Sequence, residues 1–411
     1  MEPGVHGLAG PRHLPLANLW SRVPDPTRMW PGRWHRATLG SMIQSISLQN
    51  FKSFGELQTI PLEPITVLVG PNNSGKSNFM SVGRFISNSH VADVREAIRQ
   101  EGGWEFLYHR PPFKQEPCSI GWSTPDGSYS AQIASPGYFS LEKFDRAVSS
   151  EGFSRKGRTL AVNNPFGIQH SQVEQTAIVA QTLSFGSEQL RTAVSNVWSS
   201  LAPAETIKLS LSSLRSDSEV IPEPQLGSDG RGLAAVLGLW RGAMPEKAEA
   251  LEQFLARCLP EIQNVFVRPA PTPGHQRLWF NQKDGQQFDS EHVSDGVLAF
   301  TALAMHAISA EEGQLFFIEE PEQSIHPKRL RELVDLLKDI VRERKCQFVI
   351  ATHSTVLLNT FRDEPEAILL FRRSDTGTRV KRLSDVPELL ELLQQTPPGD
   401  LLETGAFSAA F

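Results

Sequence analysis

The chain has 411 residues, 39% of them hydrophobic and 21% charged, as expected of one large soluble globular unit or two ordinary ones. Its net charge of −6 excludes a protein that coats nucleic acid, and no run approaches the roughly 18 uncharged apolar residues that span a bilayer. Cys118, Cys258 and Cys346 lie too far apart for a disulfide framework or a metal-binding spacing, so a reducing cytoplasm is the expected compartment, with no membrane partner.

Residues 1–41 differ from the rest of the chain. They hold six prolines, three tryptophans (Trp20, Trp30, Trp34) and five arginines against Glu2 and Asp25, a net of +3, which leaves −9 on the remainder. With no helical or strand period and no apolar core of signal-peptide length, they read as a disordered extension. Strand alternation begins at Met42 with MIQSISLQNF. Two further strand-like runs, ELQTIPL and PITVLVG, lead into a glycine-rich turn and a helix, SNFMSVGRFISN.

That turn, GPNNSGKS (residues 70–77), fits G-x-x-x-x-G-K-[ST] at every fixed position and sits between strand and helix as the motif requires. Gly70 and Gly75 allow backbone angles that point successive N–H groups at phosphate oxygens. The helix after the loop adds its positive end. Lys76 reaches the β- and γ-phosphates, and the Ser77 hydroxyl ligates Mg²⁺. Pro71, Asn72, Asn73, Ser74 and Asn78 complete the nucleotide-binding stretch, and Mg-ATP is the implied ligand.

Residues 119–133 read as a hairpin turning at Pro125-Asp126-Gly127. Residues 135–200 give few clear elements. ETIKLSLSSLR (205–215) reads as a strand, 229–242 and 245–259 as helices, and VFVRPAP with RLWFNQ as an antiparallel ribbon with a turn at Asp284-Gly285. From about residue 294, helices at 294–310, 328–344 and 354–361 alternate with strands at 315–319, 347–351 and 367–371. Such alternation predicts βαβ units and a parallel sheet.

The strand LFFIE ends in two adjacent carboxylates, Glu319 and Glu320. A phosphate-loop nucleotidase needs one acid for the hydration shell of its Mg²⁺ and another to polarise the attacking water. Adjacent residues leave a strand on opposite sides, and the chain turns here, so Glu319 is assigned to the metal and Glu320 to the water.

Several segments, taken in order, resemble ABC-type ATPase heads of the SMC and RecF group. They are MIQSISLQNFKSFGE, GPNNSGKSN, LGSDGRGLAAVL, VSDGVLAFTALA, FFIEEPEQSIHP and FVIATHS. More closely, the chain is similar to RecF-like ATPases related to the OLD nucleases and to the ATPase subunits of bacterial anti-phage systems. The resemblance spans about residues 42–355. It departs at Glu319, where many relatives have aspartate, and no glutamine loop is identified beyond the bare candidates Gln100 and Gln115. It implies an α/β head with a parallel-sheet core, a mixed or antiparallel β subdomain and helical insertions. The boundaries expected are a lobe at 42–134, an inserted region at 135–290 and a C-terminal lobe at 291–411.

The resemblance also assigns roles. VSDGVLAF (293–300) corresponds to the family signature, in which Ser294 and Gly296 contact the γ-phosphate held by another protomer. ATP then drives dimerisation or higher assembly. His353 corresponds to the histidine that senses the γ-phosphate. Lys52 is a candidate phosphate neighbour, and Glu322 and His326 fall where an inter-protomer loop would run. OLD nucleases carry a TOPRIM module, whereas the residues after His353 contain no D-x-D, so a separate effector, such as a nuclease, is expected. The alternative is a RecF-like repair ATPase that clamps duplex DNA.

Overall fold

The structure, a computed structural model, describes residues 42–411 except 92, 93, 113, 115, 136, 148, 150, 151, 157, 158, 165, 166, 173–187, 202, 203 and 324. The extension expected over residues 1–41 and the candidate Gln115 lie outside the described residues. The first strands are β1 (Ser45–Gln49), β2 (Gln58–Pro61) and β3 (Ile65–Val69). After the helix Lys76–Val91 come β4 (Cys118–Thr124), β5 (Gly127–Ala134), β6 (Tyr138–Arg146), β7 (Gly152–Lys156), β8 (Thr159–Asn164) and β9 (Gly167–Gln172). Then come β10 (Glu205–Ile207), β11 (Ser218–Glu219), β12 (Ile262–Pro269), β13 (His275–Gln282) and β14 (Gln287–Asp289). The last are β15 (Leu315–Glu319), β16 (Gln347–Ala351), β17 (Ile368–Ser374) and β18 (Gly377–Arg382).

These strands form three sheets. The central one runs β10-β15-β16-β3-β17-β18, parallel except for the antiparallel edge β18. Every residue of β3 and β16 is buried, Thr66 and Gln347 included, as mostly apolar strands in a covered parallel sheet should be. An antiparallel sheet of order β2-β1-β4-β5-β6-β7-β8-β9 stands beside it, and β11, β12, β13 and β14 make a smaller one. The fold class is therefore α/β with a parallel core and an antiparallel β portion, as the sequence alternation implies.

Pleating sorts the central strands' side chains onto two faces. Val67, Phe316, Ile318, Phe348, Ile350 and Leu370 join one hydrophobic cluster with the helices Pro245–Cys258, Asp295–Ser309 and Pro327–Arg344. Leu68, Phe317, Val349, Leu369 and Phe371 join the other, which contains the helix Lys76–Val91 and the inner face of the large antiparallel sheet. Phe79 of that helix packs on Phe317 and Phe371, with ring centroids 6.3 and 5.9 Å apart. This wedge fixes the helix start, and hence the phosphate loop, at the carboxyl ends of β3 and β15.

Two stretches depart from the sequence reading. Residues 205–215 are not one strand: pairing with β15 stops at Ile207, and Leu211–Arg215 is a short helix. Beyond Ile207 the backbone leaves β15 for the 228–229 turn, with Lys208 N donating to Ser228 O at 2.8 Å and Ser210 N to Asp229 O at 2.9 Å. Residues 135–200, which give few clear signals in sequence, contain β6 to β9 and the helix Glu188–Ser199, so the antiparallel sheet continues past residue 134.

Candidate functional site

The loop after β3 is built around lysine. Pro71, Asn72 and Asn73 are exposed, whereas Ser74, Gly75 and Lys76 are buried. Gly75 has a φ of 107°, and a Cβ there would lie 2.1 Å from Oγ1 of Thr378, so only glycine fits beneath β18. The Thr378 hydroxyl in turn donates to the Ser74 carbonyl at 3.0 Å and lies at hydrogen-bond distance, 2.8 Å, from the Ser53 hydroxyl, tying loop, edge strand and N-terminal turn together. Asn78 lies in the first turn of the helix, its carbonyl accepting from the Ser81 hydroxyl at 2.8 Å.

Lys76 Nζ donates to the carbonyls of Gly70 (2.6 Å) and Pro71 (3.2 Å) and lies 3.1 Å from Nε2 of His353. An ammonium can only donate, so Nε2 is the acceptor. Burial lowers the lysine's pKa, while the carboxylates Glu320, Glu322 and Glu319 pull the other way without cancelling the effect.

Glu319 and Glu320 part company at the strand end. Glu319 Oε1 accepts from the Ser77 hydroxyl at 2.7 Å, and its Oε2 pairs with Nζ of Lys208 at 2.6 Å. Burial would raise this carboxyl, but the hydrogen bonds from Lys208 and Ser77 outweigh it and hold the group below its ordinary value. Ser77 and Glu319 thus set two hard oxygen donors against each other at the foot of the loop, the donor type that Mg²⁺ takes. Glu320 has a left-handed φ of 47°, uncommon for a non-glycine residue. Its N–H still extends the sheet by donating to Ala351 O at 2.8 Å. Its carboxylate accepts from Gln323 and lies 3.8 Å from Nε2 of His353.

Five predicted residues therefore converge: Lys76, Ser77, Glu319, Glu320 and His353. Ser294 and Gly296 do not join them, and no hydrogen bond or ion pair among the described residues links the two groups. Ser294 is exposed at the N-cap of the helix Asp295–Ser309, and its side chain makes no capping hydrogen bond. Val293 before it is buried, so the chain anchors inward at 293 and turns outward at 294.

Other candidates resolve differently. Lys52 is largely buried and pairs with Glu101 at 2.5 Å, where Arg84 also binds at 2.7 and 3.0 Å. Glu322 accepts from the His353 backbone N–H at 2.6 Å, bracing that position from within its own chain. His326 caps the helix Pro327–Arg344, accepting from Lys328 N at 3.3 Å. Sequence reasoning missed Lys208 altogether. Lys208 lies next to a strand whose parallel partner carries Glu319, a pairing that local patterns do not encode.

The chain matches two sequence families. Residues 42–102 match the one described as "AAA ATPase domain", and residues 200–359 the one described as "AAA domain, putative AbiEii toxin, Type IV TA system". The first stretch contains the phosphate loop, and the second contains Lys208, Ser294, the two acids and His353. No curated protein matches the chain. Among solved structures, an SMC head bound to the C-winged helix domain of ScpA is 16% identical, with a TM-score of 0.45, over 83% of this chain and 97% of that one. The SMC head domain of Thermotoga maritima is 13% identical, with a TM-score of 0.39, over 83% and 98%. A Pyrococcus furiosus Smc head with an extended coiled coil, bound to the C-terminal domain of ScpA, is 14% identical, with a TM-score of 0.45, over 86% and 100%.

Proposed function

We propose that the chain is an ABC-type ATPase head that binds Mg-ATP, dimerises around it, hydrolyses it and so switches a separate effector protein. The observation that carries this reading is the convergence of Lys76, Ser77, Glu319, Glu320 and His353 at one end of the parallel sheet. The two family matches, both to ATPase domains, support it. In this reading the loop N–H groups and Lys76 hold the phosphates, with Lys76 releasing the carbonyls of Gly70 and Pro71 as it does so. Ser77 and Glu319 hold the cation, which neutralises charge developing on the phosphoryl oxygens. Glu320 accepts the proton of the attacking water, and His353 orients the γ-phosphate end of the pocket. Ser294, exposed on a separate edge, and the half-buried Gly296 beside it serve the nucleotide of a second copy.

The effector is proposed to be a nuclease in an anti-phage system. The toxin–antitoxin description of the family matched over residues 200–359 supports an enzyme that acts beside a partner. The net charge of −6 weighs against the alternative of a duplex-DNA clamp. The test is Glu320→Gln. It should still bind ATP, lose about 10²–10⁴-fold in kcat, and sediment as a dimer with Mg-ATP. Hydrolysis at the parental rate would refute the role of Glu320, and a monomer at all ATP concentrations would refute the shared site.

A further inference from the structure

The segment that presents Ser294 is held by a residue from elsewhere in the chain. Arg215, the last residue of the short helix Leu211–Arg215, directs its guanidinium into the bend of residues 290–295. It donates to the carbonyls of Ser290 (3.2 Å), Glu291 and Val293 (3.4 Å), and pairs with the Asp295 carboxylate. The Ser290 hydroxyl returns a bond to the Arg215 carbonyl at 3.2 Å. A guanidinium carries five N–H donors in a rigid planar fork, so converging carbonyls fix the shape of the bend as a single point charge could not.

The helix that carries Arg215 is itself secured. Leu214 is buried, and the Ser213 hydroxyl donates to Asp229 Oδ2 at 2.7 Å. Ser210 N donates to Asp229 O at 2.9 Å. Gly230, with a φ of 93°, lies so close that a Cβ there would meet Leu214 Cδ2 at 2.4 Å. These contacts give the LGSDG stretch (226–230) a task that the nucleotide pocket does not explain. Arg277 secures the entry to the same bend, binding Asp217 at 2.6 and 3.0 Å, Asp289 at 3.0 Å and Glu291 at 2.9 Å.

We infer that Arg215 is a positioning residue for the composite site: it holds residues 290–295 in the shape that turns Ser294 and the start of the helix Asp295–Ser309 outward toward a second copy's nucleotide. This rests on the proposed function and assigns that function a residue outside both the phosphate loop and the signature. Four acceptors across residues 290–295 meet one side chain, whereas the Ser294 hydroxyl is left out of the helix cap. The bend is thus fixed by its backbone oxygens, and its outward hydroxyl stays free of local capping. Loss of the fork would let carbonyls 290, 291 and 293 turn to water and the bend lose its single shape, with no effect on the Lys76 pocket.

The test compares Arg215→Met and Arg215→Lys in the Glu320→Gln background. Affinity of the protomer for a fluorescent ATP analogue should stay within about twofold of the parent for both. ATP-driven dimerisation, followed by sedimentation, should weaken at least tenfold in Arg215→Met. Arg215→Lys keeps the Asp295 pair but loses the fork, and should recover only part of that loss. In the Glu320 background, kcat should fall with KM nearly unmoved. If Arg215→Met does not fold, Asp295→Asn, at a half-exposed position, decides the matter through a dimer weakened about threefold. A dimeric parent with an equally dimeric Arg215→Met, or nucleotide affinity falling in step with dimerisation, overturns this inference alone. A Glu320→Gln parent that stays monomeric overturns it together with the reading on which it rests.

Discussion

The pocket around Lys76 and the edge around Ser294 are finished to different degrees. In the pocket, functional groups are already engaged with one another. Lys76 is bonded to two loop carbonyls and close to His353, Ser77 is bonded to Glu319, and Glu319 to Lys208. At the edge, the scaffold is tightly braced by Arg215 and Arg277, yet the hydroxyl it displays caps nothing. On the proposed reading, a nucleotide entering the pocket replaces internal partners, whereas the edge offers a fixed surface to a second copy. The first arrangement favours regulated occupancy; the second favours docking with little rearrangement.

Separating the two regions by mutation should have the largest effects. Lys76→Ala should abolish nucleotide binding in a fluorescence titration. Ser294→Arg should leave that binding within about twofold of the parent, while sedimentation shows no ATP-driven dimer, because a bulky cation now occupies the docking edge. Equal loss of nucleotide binding in both would erase the distinction.

A smaller effect lies beneath the pocket. Glu205, on β10 beside the acid-bearing strand, is pushed up to about 7 by burial. The folded protein then keeps a proton that the unfolded chain releases. The stability this contributes is present below the ordinary carboxylate range and is lost as pH rises through about 7. Glu205→Gln removes that loss, so its melting temperature relative to the parent should rise by roughly a few degrees between pH 5 and pH 8. Parallel melting curves at both pH values would contradict the assignment.

The smallest effect concerns Lys208, which rests on the carboxylate assigned to the metal. Its side chain is 73% exposed, so the pair is worth no more than a surface ion pair. Lys208→Met should lower the Mg²⁺ concentration for half-maximal nucleotide binding by roughly threefold. An unchanged or higher requirement would show that Lys208 does not compete with the metal.

Local signals made the pocket legible. G-x-x-x-x-G-K-S fixes a backbone shape, and a wholly apolar strand that ends in two acids marks the end of a buried sheet. The alternation after residue 294 revealed the parallel core, because a helix period and a strand run of five cannot be confused over such lengths. Other features depend on partners distant in sequence. Lys52 reads as a phosphate contact in isolation, yet Glu101, 49 positions on, claims it. Lys208 and Arg215 act across gaps set by sheet pairing and loop packing, and nothing in ETIKLSLSSLR marks the point where strand yields to helix. The strands β6 to β9 escape detection because they are short and their apolar runs are broken by serine, glycine or charged residues, or in β8 by asparagines.

The most direct test of the shared site mixes two inactive proteins. Lys76→Ala keeps an intact Ser294 edge but no phosphate cradle, and Ser294→Arg keeps the cradle but no edge. Each alone should hydrolyse no ATP. Neither variant pairs with itself, so every dimer that forms in an equimolar mixture is mixed and has one working site of two, and the mixture should recover up to about one half of parental activity. A mixture no more active than its separate components would contradict the claim that one copy completes the other's pocket.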